Sequence, residues 1–223
     1  MADYALVRPK GQHYRLIHSK YPPIDLFDSQ DSYDLGVLES ATSDRLHNWD
    51  RFVDPKDLRT GPGWSTVMAS FCYPGEGGRF NAADQGAYYA GLALETAVRE
   101  WAWHTARVWR GFNMTEDASA MARCYTGKVA RELVDVRGDA RYCSEHYSDC
   151  RLLGRTLLNE GFYGLVYDSV RHAGGANVAF LRPPGTTAVK QKGHCVLKWD
   201  GERFTDYLEA GDFVSLGDGI SSG

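Results

Sequence analysis

Gly77-Gly78-Arg79-Phe80-Asn81, then Gly86-Ala87-Tyr88-Tyr89-Ala90, then Glu95 through His104: these three runs read as a glycine-rich loop, a short buried strand and an amphipathic helix. Arg79, Tyr89 and Glu100 recur at intervals of 10 and 11 residues. Loop, strand and helix face one another only if the chain folds back between them. That fold gathers the three side chains around one hollow. An arginine is a planar fork of donors suited to a pyrophosphate, and flanking glycines let a ligand reach the backbone. The hollow is therefore expected to bind a dinucleotide.

The surrounding chain has 223 residues, 43% hydrophobic and 24% charged, as in an ordinary globular protein. This length suits a single domain spanning 1–223, with a core about 12–207 and an added segment at 24–70. A net charge of −4 gives no electrostatic footprint for nucleic acid. Cys72, Cys124, Cys143, Cys150 and Cys195 form no CxxC pair, and an odd, irregular set reads as reduced thiols. Neither a signal peptide nor an apolar run long enough for a membrane span is expected, so the predicted location is cytoplasmic.

Working away from the central runs, Gln12 to His18 predicts a first strand with Tyr14 and Leu16 on one face. Arg15, on the other face, is either solvated or part of a pocket. Leu35 to Phe52 is a helix candidate, with Ser43 or Asp44 as a cap. Trp64 to Phe71, bounded by glycines and prolines, predicts a short strand. Apolar spacing at Ala97, Val98, Trp101, Ala102 and Val108 predicts a helix that sets Glu100 and His104 on one face. Residues 123–137 read as strand, and Arg151 to Glu160 as helix, stopped at Gly161. Gly164 to Val170 and Asn177 to Leu181 read as strands. Asp200-Gly201 reads as the turn of a hairpin between Cys195–Trp199 and Arg203–Tyr207. The tail, 217–223, is expected to be disordered. The sum is α+β: a mixed sheet with flanking helices.

Several chemistries lack their signatures. No GxxxxGK[ST], G-x-S-x-G or HExxH occurs, Gly75 to Gly78 does not match the dinucleotide fingerprint, and the His residues are too scattered to predict a metal. What remains is Arg79, Tyr89, Glu100 and Ser169. Tyr89 can stack on a base or donate its hydroxyl, and Ser169 can hold a ribose hydroxyl or a carboxamide. Glu100 can stabilise positive charge on a sugar carbon. The set suits cleavage of a nicotinamide–ribose bond, whose transition state resembles an oxocarbenium ion and whose neutral leaving group needs no general acid. Each residue also has a plain structural reading. Glu100 can be a solvated helix residue paired with Arg107 or His104, Arg79 a cap, Tyr89 core, and Ser169 a strand-end hydroxyl.

Gly78-Arg79-Phe80-Asn81, Tyr88-Tyr89-Ala90, and Glu95-Thr96-Ala97 leading to Glu100 and His104 together resemble the RES-domain toxins, a family named for its arginine, glutamate and serine. Tyr167-Asp168-Ser169-Val170-Arg171, with Gly174, Gly175 and Asn177, resembles the family's serine segment, and Tyr14 to His18 its opening strand. The resemblance spans about 12–200. It implies an ADP-ribosyltransferase-like split sheet with NAD in its cleft. It also implies destruction of NAD as substrate by hydrolysis or phosphorolysis, or transfer of ADP-ribose to a protein. A non-catalytic nucleotide- or partner-binding module is the alternative from another class. The implied partner is an Xre-type helix-turn-helix antitoxin, with no membrane, nucleic acid or metal involved. By position, Glu100 and Arg79 would be catalytic, and Arg79, Tyr89, Ser169 and Arg15 would contact the substrate. Phe80 stands where Trp is common and is expected to keep a stacking surface. Gly91-Leu92-Ala93-Leu94 makes a weaker helix cap than the family's polar start, and Glu95 is the rival carboxylate.

Overall fold

A computed structural model describes residues 4–19, 49–143 and 147–210. Its strands are β1 (Leu6–Val7), β2 (His13–His18), β3 (Tyr88–Gly91), β4 (Ala118–Gly127), β5 (Leu133–Asp135), β6 (Gly164–Asp168), β7 (Ala176–Phe180), β8 (Lys190–Trp199) and β9 (Phe204–Ala210). The helices are α1 (Trp49–Phe52), α2 (Trp64–Cys72), α3 (Leu94–Gly111) and α4 (Ser148–Asn159). The strands form one sheet in the order β1-β5-β6-β7-β3-β2-β4-β8-β9. Only β5 and β6 run parallel, joined by a crossover through α4; the other pairs are antiparallel. This is the expected mixed α+β sheet.

Side-chain alternation puts a separate core on each face of the β6–β7 half. Val166, Val178 and Phe180 pack with Tyr88 under α2, which contributes Val67, Met68, Phe71 and Cys72. Leu165, Tyr167 and Ala179 face the opposite way and pack against Cys150, Leu153 and Leu157 of α4. In the other half, α3 lays Ala97 and Val98 on Leu16, Ala122, Cys124, Cys195 and Leu197. The α3 and α4 cores share one side of the sheet, which leaves a trough between the two helices.

The sheet splits beneath that trough. β2 pairs with β4 over six residues but with β3 only at Tyr14↔Gly91. Beyond that pair the two strands part, and Arg15 Nη1 crosses the gap to donate to the Tyr89 carbonyl at 3.3 Å. Gly91 also sets the start of α3: a Cβ there would stand 2.7 Å from the Ala97 nitrogen, so only glycine lets the helix lie this close to β3.

Three expectations are corrected. Trp64–Cys72 is helix, not strand, because its buried residues fall at 67, 68, 71 and 72, a helical stripe. Residues 123–137 are two strands, β4 and β5, lying seventh and second in the sheet order. Phe80 is fully buried and packs edge-on to Tyr167 at 4.8 Å, so it is core and offers no stacking surface. The hairpin turns at Asp200, whose Oδ1 accepts from the Glu202 and Arg203 amides at 2.9 and 2.7 Å. The expected helix over 35–52 is described only at Trp49–Phe52, and 217–223 lie outside the described residues. Cys72, Cys124, Cys150 and Cys195 are buried and unpaired. Among the described residues no helix is long and apolar enough to cross a membrane.

Candidate active site

Register builds the floor of the trough. Tyr167 pairs with Asn177, Asn177 with Gly91, and Gly91 with Tyr14, a single row across four strands. All four line a cleft of about 650 Å³, together with Arg15, Arg79, Tyr89, Glu100, Trp103, His104, Tyr147 and Arg171. Helix α3 forms one wall, and the Gly77–Asn81 loop with the start of α4 forms the other.

Glu100 projects from α3 into the cleft. Its Oε1 accepts two hydrogen bonds, from Ser169 Oγ at 2.6 Å and Asn177 Nδ2 at 2.7 Å. The plain structural reading paired Glu100 with Arg107 or His104; two neutral donors hold it instead. Ser169 is fixed in turn, its Oγ accepting from the backbone amides of Arg171 and His172 at 3.2 and 3.1 Å. The serine hydroxyl is therefore committed to the glutamate. His104 lies one turn from Glu100. Burial lowers its pKa, with Glu100 opposing and Arg171, Arg107 and Arg79 adding to the fall.

Arg79 is 7% exposed; its Nη1 donates to the Tyr142 carbonyl at 3.0 Å and its guanidinium lies 4.7 Å from the centre of the Tyr147 ring. Tyr89 puts its ring on the cleft while its hydroxyl holds the loop. That hydroxyl donates to Asn81 Oδ1 at 2.7 Å and accepts from Phe80 N–H at 2.8 Å. Burial raises the phenol pKa, opposed by the Phe80 bond and by Arg79 and Arg151, so Tyr89 is a neutral positioner rather than an acid–base group. Arg15 reaches the cleft from the split, its guanidinium 4.5 Å from the centre of the Tyr88 ring.

The structure thus brings Arg15, Arg79, Tyr89 and Glu100 to one cleft, with Ser169 bonded to Glu100 outside the lining. Glu95, the rival carboxylate, points elsewhere: it is exposed and bound to Arg99 at 2.7 Å. The cleft lining holds Arg15, Arg79, Arg107, Arg151 and Arg171 against only Glu76 and Glu100. A chain of net charge −4 therefore concentrates positive charge here. Such a cleft attracts an anion. Sequence reasoning missed Asn177 as a site residue. The available signal was one polar residue inside the otherwise apolar run Ala176 to Phe180. Among the described residues, no group of three His, Cys, Asp or Glu could hold a metal ion.

Comparison with known proteins adds three findings. The family model for the RES domain matches residues 54–200. Among solved structures, the M. tuberculosis MbcT–MbcA toxin–antitoxin complex contains a similar chain, with a TM-score of 0.42, 10% sequence identity, and coverage of 92% of this chain and 87% of that one. No curated protein matches.

Proposed function

The chain belongs to the RES domain family, and from that premise we propose that it depletes NAD by cleaving the nicotinamide–ribose bond, as the toxin of a toxin–antitoxin pair. One observation carries the reading: a glutamate held through one oxygen by Ser169 and Asn177 faces a cleft lined by five arginines. A dinucleotide needs both parts, cations for its diphosphate and an anion for the sugar carbon.

In this mechanism Arg79, with Arg151 beside it, holds the diphosphate. The bond from C1′ to the pyridinium nitrogen breaks, and its electron pair neutralises the nicotinamide. No proton has to be supplied. Positive charge grows on C1′ and O4′, and the Glu100 carboxylate stabilises it electrostatically. Water, giving up a proton to solvent, or an oxygen of inorganic phosphate then forms the new bond to C1′. The wall of arginines keeps the diphosphate still while the leaving group departs.

The proposal takes residues 12–207 as one catalytic unit with 24–70 as an added cover, acting in the cytoplasm. An Xre-type helix-turn-helix antitoxin is the partner that the family resemblance supplies. The test is incubation with NAD, with and without phosphate and with lysate. Free nicotinamide with ADP-ribose indicates hydrolysis, a phosphorylated ADP-ribose indicates phosphorolysis, and label on a macromolecule indicates transfer. Glu100→Gln is expected to slow nicotinamide release on the order of 10²–10³-fold. An unchanged rate would remove Glu100 from the mechanism.

A further inference from the structure

Three elements far apart in sequence bring polar groups to a single oxygen atom. Glu100 comes from α3, Ser169 follows β6, and Asn177 sits within β7. Both donors bond to Oε1, and no bond from a described residue goes to Oε2. A carboxylate can only accept, so the amide of Asn177 must present its nitrogen to Glu100. Asn177 is 2% exposed, and its place opposite Tyr167 and Gly91 in the ladder fixes where its side chain starts. A polar residue buried in an apolar strand is costly unless it is bonded, and the carboxylate is the bond it makes.

We propose that Asn177 is a positioning residue, which together with Ser169 pins Oε1 of Glu100 so that the carboxylate meets the sugar through Oε2 alone. The inference rests on the role given to Glu100 above. A carboxylate free to rotate would offer either oxygen along changing directions. Two donors on one oxygen remove that freedom before substrate arrives, which is electrostatic preorganisation. The amide suits this place better than an acid would: an aspartate here would set a like charge against Glu100.

The test pairs kinetics with a readout that needs no NAD. Asn177→Ala is expected to lower kcat roughly tenfold with KM within about twofold, since one charge-assisted bond is lost from the reacting group and none from the diphosphate. The ¹³C chemical shift of the labelled Glu100 carboxyl, read at one fixed pH without NAD, should move as well, because a donor to Oε1 is gone. Asn177→Asp keeps the shape, so it guards against misfolding, and should show the same loss of kcat with a displaced carboxyl resonance. A kcat and a carboxyl resonance that coincide with those of the parent would overturn the proposal. If the parent itself released no nicotinamide, the activity reading would fall, and the carboxyl resonance would still decide the positioning.

Discussion

The Tyr89 hydroxyl donates to Asn81 Oδ1 at 2.7 Å and so ties β3 to the loop that carries Arg79. The same oxygen accepts from Phe80 N–H at 2.8 Å. Tyr89→Phe keeps the ring and strands both partners. Leaving buried groups unpaired costs about 1–3 kcal/mol. The variant should melt at a lower temperature and bind NAD more weakly, with KM rising more than kcat falls. An unchanged melting temperature would show that the loop is held elsewhere.

Gly78→Ala tests the same junction from the loop side. A Cβ at 78 would stand 2.9 Å from Asn81 Oδ1, Tyr89 Cε2 and the Tyr89 hydroxyl alike. The tyrosine must shift, and the Phe80 and Asn81 bonds shift with it. Because both variants break one contact, Gly78→Ala with Tyr89→Phe should cost less than the two separate effects together. Thermal melts of the four proteins measure this directly, and strict additivity would contradict it.

Much of this site could be read from the chain, and the reason is local. Arg79, Tyr89 and Glu100 lie within 22 consecutive residues, and loop, strand and helix signals there agree with one another. Ser169 stood out at the end of an apolar strand, but its bond to Glu100 spans 69 positions and no spacing rule reaches so far. That bond adds a contact with the glutamate to the expected contact with the substrate. Arg15 stayed ambiguous in sequence because the split between β2 and β3 decides its exposure, and the split depends on a single register pair. α2 misled through its β-branched and aromatic residues. The buried stripe 67, 68, 71 and 72 extends one residue past the predicted strand, and that residue, Cys72, completes the helical period.

Asp57 and Arg182 form a bidentate pair, Nε to Oδ2 at 2.6 Å and Nη2 to Oδ1 at 2.8 Å. Asp57 is 4% exposed, and the pair raises the pKa of Arg182. It fastens the segment before α2 to the chain leaving β7. Asp57→Ala leaves a guanidinium without its counter-ion beneath α2, which costs about 3 kcal/mol for a buried pair broken on one side. Urea unfolding should show the loss. Removing both partners should cost less than removing Asp57 alone.

His13 gives the protein an acid-sensitive core. Its Nε2 bonds to Thr186 Oγ1 at 2.7 Å, and the ring packs between Tyr88 and Phe180. Burial, then Arg15, lowers its pKa from 6.5 to about 4. The folded state therefore resists the proton that the unfolded chain accepts. This contribution is intact above pH 6.5 and is lost as pH falls from there towards 4. At about 1.4 kcal/mol per unit, the fall of 2.5 units amounts to about 3 kcal/mol. Unfolding free energies measured at pH 7 and pH 5 should differ by about 2 kcal/mol of this, and His13→Gln should flatten the slope while lowering stability at neutral pH.

Glu95 provides the control for Glu100. The two lie five residues apart on α3, and at about 100° per residue they point about 140° away from each other. Glu95 accepts from Arg99 Nε and Nη2 at 2.9 and 2.7 Å in solvent, and that arginine holds its carboxyl below the usual range. His172 Nε2 stands 3.7 Å away, while its Nδ1 bonds to Thr96 Oγ1 at 2.9 Å. An exposed i,i+4 pair contributes little. Glu95→Gln should thus leave nicotinamide release within about twofold of the parent. Glu100→Gln, stripping the charge from the cleft and keeping the shape, should abolish most of it. Equal losses from both substitutions would mean that the carboxylate acts through the helix start, and would move the reacting centre towards Thr96 and His172.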